Sequence, residues 1–236
     1  MRWTPASMFA LAAASAVALT VSAPALAASD ARELPEGFEY LPEFAGANVF
    51  EAFSEGERRG VHSISTQEAG IIRKAVDLPL TATTEIEFDW RYVALPALGP
   101  ETAAGFHDYH SIAVEFDNGQ DVTWFWSREL APGTQFRCPL PGWDERETHI
   151  VVTSGGGGLG DWATHRRAVL ADYRSAVGGE APARIVAVWF IANSFFGKQK
   201  GEAYFANVRL LDGGHSIDAF ADPSRAGSPS GARSSW

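Results

Sequence analysis

Hydrophobic and polar residues alternate along most of this chain. In Thr84-Glu85-Ile86-Glu87-Phe88-Asp89-Trp90-Arg91-Tyr92, large apolar side chains take every second place and charged ones fill the places between. That two-residue period is the mark of a β-strand with unlike faces. Ile112, Val114 and Phe116 repeat it, as do Val122, Trp124 and Trp126. Between those runs stands Asp117-Asn118-Gly119-Gln120, whose Asn-Gly pair is a strong hairpin signal, so residues 111–127 read as two paired antiparallel strands. Shorter strands are expected at 61–66, 70–76 and 149–153, and longer ones at 184–192 and 202–211. One helix is expected from about Trp162 to Val177, capped by Asp161 and ended by Gly178-Gly179 and Pro182. Its residues Trp162, Val169, Tyr173 and Ala176 would share one face. Many strands at short intervals with a single helix predict an all-β protein, an antiparallel β-sandwich of jelly-roll type with one docked α-helix.

The ends read differently from the middle. Arg2, the Ala-rich apolar run from Met8 to Val21, Pro24 and then Ala25-Leu26-Ala27 have the layout of an export signal with its cleavage site. The apolar run is shorter than the roughly 20 residues a membrane span needs, so no membrane insertion is expected. The chain is expected to divide into a signal peptide at 1–27, a single sandwich domain at 28–217 and a disordered Ser/Gly/Ala/Pro-rich tail at 218–236, placing the protein in the periplasm or outside the cell. The formal charge of −10 argues against a nucleic-acid partner, which needs a basic footprint. The single cysteine, Cys138, rules out an intramolecular disulfide and a thiolate-cluster metal site, and reads as a small buried hydrophobe.

Gly155-Gly156-Gly157-Gly158-Leu159-Gly160 satisfies the dinucleotide fingerprint, but a run of four glycines satisfies many spacings. The next expected strand ends at Asn193 rather than at a ribose-binding acid. NAD is therefore rejected, no cofactor is expected, and the run is read as a mobile surface loop.

The same region carries a family resemblance. Ser154 with the glycine run, Leu159-Gly160-Asp161-Trp162, and Arg166-Arg167-Ala168-Val169-Leu170-Ala171-Asp172-Tyr173 resemble a bacterial family called domain of unknown function 3047. So do the strand Asp89–Pro96, the strand Val122–Ser127 and the closing strand Ala203–Leu211. The resemblance covers roughly residues 60–211. It implies an exported jelly-roll sandwich and brings no established activity. Two departures stand out: members tend to carry paired acids where this chain has Phe106-His107-Asp108-Tyr109-His110, and the strand end at Ala192-Asn193-Ser194 is less acidic than usual. If the family pattern binds a cation there, this chain has imidazoles in place of the acids.

The chemistry-bearing residues fall into three groups. His107, Asp108, Tyr109 and His110 bring two imidazoles, a carboxylate and a phenol into one loop, the usual parts of acid/base catalysis. As an H-x-x-H pair the histidines would equally suit a metal, although no third ligand is evident, and the alternative is an ordinary hydrogen-bonded loop. Glu85, Glu87, Asp89 and Arg91 share one strand face, which is either plain solvent surface or the lining of a groove where Arg91 meets an acidic or hydroxylated ligand. Trp90, Trp124, Trp126 and Trp189 are expected in the core. Phe125 projects opposite its neighbours and Trp143 lies in a Pro-Gly loop, so both are candidates for stacking on a ligand ring, with Asn193 at the rim. Arg167 and Asp172, five apart on the expected helix, are not expected to pair, and the helix is read as structural.

Two functions follow. The first is an exported module binding a glycan or similar small ligand in a concave face through Phe125, Trp143, Glu87, Asp89 and Asn193. The alternative is a small lyase, hydratase or isomerase in which His107 or His110 moves a proton beside Asp108, with Tyr109 or Arg91 stabilising negative charge. A structural envelope protein is a third class. Oligomeric state is not legible.

Overall fold

The computed structural model describes residues 32–221. The expected export signal, and residues 222–236 of the expected tail, lie outside the described residues. In chain order the elements are β1 (Glu39–Tyr40), β2 (Phe50–Glu55), β3 (Arg58–Ser65), β4 (Ala69–Pro79), β5 (Glu85–Ala94), β6 (Tyr109–Phe116), β7 (Asp121–Ser127), β8 (Gln135–Arg137), β9 (Glu147–Ser154), β10 (Ala163–Ala168), α1 (Val169–Ala176), β11 (Arg184–Asn193), β12 (Gly201–Asp212) and β13 (His215–Asp218). They form two sheets, a seven-stranded one in the order β1-β4-β11-β6-β7-β9-β8 and a six-stranded one in the order β10-β5-β12-β3-β2, with β13 added to β12. Successive strands β4, β5 and β6, and then β11 and β12, cross from sheet to sheet, giving a sandwich of jelly-roll type.

The expected alternation builds the core between the sheets. Ile86, Phe88, Trp90 and Tyr92 of β5 face Ile112, Val114 and Phe116 of β6 and Val122, Trp124 and Trp126 of β7. Their rings meet edge to face or tilted, as Trp90 and Tyr92 do at 5.3 Å. The Asn118-Gly119 hairpin is present, with Gly119 at φ 78° and β6 paired antiparallel to β7 from Ser111↔Phe125 to Glu115↔Asp121.

Several expectations are corrected. The helix expected from Trp162 begins only at Val169, because Ala163–Ala168 pairs with β5 as an edge strand, where Arg166 bridges Glu85 and Glu87. With Arg167 ending a strand rather than lying on the helix, its guanidinium does reach Asp172, with Nε and Nη2 donating at 2.9 and 2.7 Å. Asp172 also accepts from the Trp124 indole at 2.8 Å, which ties α1 to the core. The sheets are not wholly antiparallel: β7 and β9 run parallel, from Asp121↔Glu147 to Ser127↔Ser154. Finally, the chain runs beyond 217 as part of the fold, since Asp218 ends β13, Ala219 is buried in the core and Phe220 stacks on Phe190.

The parallel pair has a large consequence. Joining β7 to a parallel β9 takes the long connection 128–146, and that connection, with Leu41 and Phe44, covers the outer face of the seven-stranded sheet. A second apolar cluster forms there from Ile71, Tyr109, Ala113, Phe125, Val151, Ala187, Trp189 and Ile191. Phe125, expected as an exposed stacking residue, is therefore fully buried, and Trp189 belongs to this cluster rather than to the inter-sheet core. Among the described residues no helix is long and apolar enough to cross a membrane.

Gly60 marks the tightest backbone approach in the six-stranded sheet. A Cβ on it would collide with the Phe205 carbonyl oxygen and come 2.7 Å from the Ala206 Cα, atoms of the paired strand that cannot swing away. Gly60→Ala is expected to lower the unfolding free energy by about 2–3 kcal/mol, in the range of overpacked cores. Gly156→Ala, with open space around it, is expected to leave stability within about 0.5 kcal/mol. Urea unfolding of both variants checks the pair.

Candidate functional site

The outward positions of β6, β7 and β9 carry polar groups into the covered face. Register places Glu115, Asp121 and Glu147 side by side across the three strands, and Thr123 beside His149 in the next row. Glu115 accepts from Arg73 at 3.0 Å and from the Trp189 indole at 3.1 Å. Glu147 is buried, and its Oε1 accepts from the Tyr109 hydroxyl at 2.9 Å and lies 3.4 Å from His149 Nε2. Thr123 lies between Asp121 and Glu147, its hydroxyl 3.3 Å from one carboxylate and 3.4 Å from the other. Two buried carboxylates this close do not both ionise. Burial and the Glu147 charge push Asp121 well up, whereas at Glu147 the opposing effect of burial is overcome by the His149 and His107 imidazoles, and its carboxyl stays ionised.

His107 enters the same pocket of the fold from the turn before β6. Its Nδ1 donates to the Glu101 carbonyl at 2.6 Å, so Nε2 is the nitrogen that faces inward, 3.3 Å from Cys138 Sγ. Cys138 follows β8 on the covering connection. His107, Cys138, Glu147 and His149 are all buried, with ligand-capable atoms within 4.8 Å of one another. A nucleophilic Cys–His pair would need the thiolate and the imidazolium. Burial here drives both groups the other way, raising the Cys138 thiol and lowering His107 to about 3.

Beside this cluster lies a cleft of about 240 Å³, with Tyr109 and Glu147 shared between the two. Its remaining walls are largely apolar: Phe44, Trp143, Phe195 and Phe196, with Ile71, Ile191 and Leu140. Phe195 is 58% exposed at the mouth. Trp143 meets the Trp189 ring edge-on at 6.3 Å, and the Arg146 guanidinium lies 5.4 Å from its centroid. Asn193 lines the cleft too, but its side chain is engaged within the fold, donating to the His107 carbonyl at 2.7 Å and accepting from the Phe195 amide at 3.1 Å.

The residues singled out in the sequence are thus divided. His107 belongs to the buried cluster and Tyr109 donates to its Glu147, while Trp143, Asn193 and Tyr109 line the cleft. Asp108 turns away to accept from the Phe196 and Gly197 amides, anchoring the turn after β11. His110, one step along β6 from Tyr109, faces between the sheets. There Ser63, which donates to the Ala203 carbonyl, accepts from Nδ1 at 2.7 Å, and Ser65 donates to Nε2 at 2.9 Å. Burial and then His62 lower His110 to about 3, so it is a neutral core histidine and not a partner of His107. Glu87, Asp89 and Arg91 lie on the six-stranded sheet, away from the cleft. Glu87 pairs with Arg166 and Arg209 at 3.0 and 2.7 Å, Asp89 accepts from Thr164 and Asn207, and Arg91 rests on the Tyr204 and Trp162 rings at 4.3 and 4.8 Å. Cys138, Glu147 and His149 were not singled out as site residues by the sequence reading, although Glu147-Thr148-His149 is an i, i+2 pair on one strand face.

The His110 environment has a consequence for acid stability. Its folded pKa lies below the unfolded value, so the unfolded chain takes up more protons as pH falls. Stability from this group is complete above about pH 6.5 and is lost between there and about pH 3, with a total on the order of 5 kcal/mol. Thermal melting from pH 7 to pH 4 is expected to show a smaller loss of Tm in His110→Gln than in the parent chain, and parallel curves would contradict the assignment.

Comparison with known proteins adds a family and fold likenesses. Among curated proteins nothing matches. The chain is similar to the family 12 xyloglucanase of Bacillus licheniformis, at 8% identity over 76% of this chain and 95% of that one, with a TM-score of 0.43. It is similar to endoglucanase cel12A of Rhodothermus marinus at 13% identity over 77% and 96%, with a TM-score of 0.41. It is also similar to the family 11 carbohydrate-binding module of Clostridium thermocellum at 14% identity over 74% and 95%, with a TM-score of 0.33. The model of the family "Protein of unknown function (DUF3047)" matches residues 39–209, most of the chain and all but β13 and the last three residues of β12, so this protein is a member of the DUF3047 family.

Proposed function

We propose that this chain is an exported, non-catalytic binding protein whose cleft takes one ring of a glycan or a similar small ligand. The observation that carries the reading is the make-up of the cleft: aromatic walls from Phe44, Trp143, Phe195 and Phe196 and, among the described residues, a single carboxylate, that of Glu147. A sugar ring has one apolar face suited to an aromatic wall and a rim of hydroxyls suited to a carboxylate and the Tyr109 phenol. A volume of about 240 Å³ is enough to hold a single ring within the cleft. Glycoside hydrolysis by the usual route needs two carboxylates flanking the scissile bond, and among the described residues Glu147 is the only carboxylate lining this cleft. Acid/base catalysis by His107 or His110 would require one of them to meet the ligand, and neither lines the cleft. Export remains part of the proposal, resting on the N-terminal sequence pattern alone.

Calorimetric titration of the full chain with a panel of mono- and oligosaccharides tests this reading. Binding is expected, weakened about fivefold or more by Phe195→Ala and by Trp143→Ala, in line with the ~1 kcal/mol or more that a stacking aromatic contributes. Phe195 is largely exposed, so its removal is expected to leave the melting curve unchanged and to separate binding from folding. Saccharide turnover, or binding indifferent to both substitutions, would overturn the proposal.

A further inference from the structure

The buried quartet beside the cleft has a different character from the cleft itself. His107, Cys138, Glu147 and His149 bring two imidazoles, a thiol and a carboxylate from three separate segments to one point, and all four are buried. Metal–ligand bonds of about 2.0–2.3 Å in a tetrahedron set neighbouring ligand atoms roughly 3.3–3.8 Å apart. Cys138 Sγ and His107 Nε2 are 3.3 Å apart, and His149 Nε2 and Glu147 Oε1 are 3.4 Å apart.

His149 supplies an independent observation. It is fully buried, yet among the described residues its Nδ1 has no partner and its Nε2 has only the Glu147 carboxylate, 3.4 Å away and not aligned for a hydrogen bond. Leaving a buried polar group unpaired costs about 1–3 kcal/mol, and a polar ring held dry between Phe136, stacked on it at 4.9 Å, and Tyr109 calls for a partner. His107 is oriented as a ligand is: the Glu101 carbonyl fixes the proton on Nδ1 and turns the Nε2 lone pair toward the other three. The charge fits as well, since one thiolate, one carboxylate and two neutral imidazoles around a divalent cation sum to zero in a dry site.

We propose that His107, Cys138, Glu147 and His149 bind a divalent transition metal, Zn2+, as a closed structural site. Zinc is favoured over magnesium or calcium by the sulfur and nitrogen donors. Four protein ligands leave no open position, which makes the ion a staple rather than a Lewis acid for chemistry in the cleft. It joins the covering connection, through Cys138, to β9 and to the turn before β6. Binding releases the thiol proton to solvent and involves no change of oxidation state. The site shares Glu147 with the cleft but does not rest on the ligand assigned there, and metal content and saccharide binding are read separately.

The full chain, purified without chelator, is expected to carry one zinc by elemental mass spectrometry. After chelator treatment, titration with Co2+ alone is expected to give visible bands of four-coordinate cobalt and a near-ultraviolet thiolate-to-cobalt band. Zn2+ should then displace the cobalt and raise Tm. Cys138→Ser should abolish the near-ultraviolet band, and His149→Gln should weaken cobalt binding at least 100-fold, both with an unchanged far-ultraviolet circular dichroism spectrum. Should either variant fail to fold, the parent chain decides alone. A spectrum of hexa-aquo cobalt only, or stoichiometric copper in place of zinc in the purified protein, overturns the assignment.

Discussion

The constraint on which this molecule depends is that its seven-stranded sheet is covered on both faces. One face packs on the six-stranded sheet, as in any sandwich. The other is covered by the connection 128–146, so side chains that would meet water in a simple sandwich are dry. Every residue of β7 is buried, and so is nearly every residue of β6. Apolar outward positions such as Phe125 and Val151 gain a second core. Polar ones such as Asp121, Glu147 and His149 lose their water and must be satisfied by each other.

That loss sets the chemistry of the site. Three acids in register across β6, β7 and β9 cannot all be charged in a dry layer, and each has a different solution. Glu115 lies toward the rim and meets Arg73 and an indole. Asp121 resists ionisation, and Glu147 keeps its charge by drawing on Tyr109 and two imidazoles. The histidines pay the complementary cost: His107 is driven well below neutral by burial, and among the described residues His149 has no aligned hydrogen bond, only the 3.4 Å approach of its Nε2 to Glu147. A set in which the acceptors are over-supplied with charge and the donors under-used is most simply completed by a cation.

Much of the fold was legible because β5 and the β6–β7 hairpin state their pattern locally. The period-two alternation of Ile86, Phe88, Trp90 and Tyr92 and the Asn118-Gly119 turn need no distant information. The parallel pairing of β7 with β9 does, and most errors descend from it. Without the covering connection Phe125 reads as exposed, and a strand such as Arg184–Asn193, apolar on both faces, offers no clue to which face Trp189 takes. His107 and His110 look like a pair in sequence, but the odd and even positions of β6 point to opposite sides of the sheet, so Tyr109 goes outward and His110 inward. The true partners of His107 lie 31, 40 and 42 residues away, on β9 and just after β8. Arg166 and Arg167 read as helical because charged residues mark an exposed helix face as readily as an edge strand, and only pairing with β5 decides between them.

The two outer faces of the sandwich show what cover does to equal residue types. On the six-stranded sheet, Glu87, Arg166, Arg209, Arg91 and Glu55 form ion pairs of the exposed or half-exposed kind, weakened by the water around them and screened by salt. His62 there sits between Glu51 and Glu202 and stacks on Tyr204, its needs met without a cation. On the seven-stranded sheet the same types of group are few, dry and unequally satisfied. Composition and alternation treat Glu87 and Glu147 alike. The difference lies in residues 128–146, which carry Cys138 and Trp143 over the sheet and so build both the buried cluster and a wall of the cleft beside it. In this protein the site is a product of its cover as much as of the strands beneath.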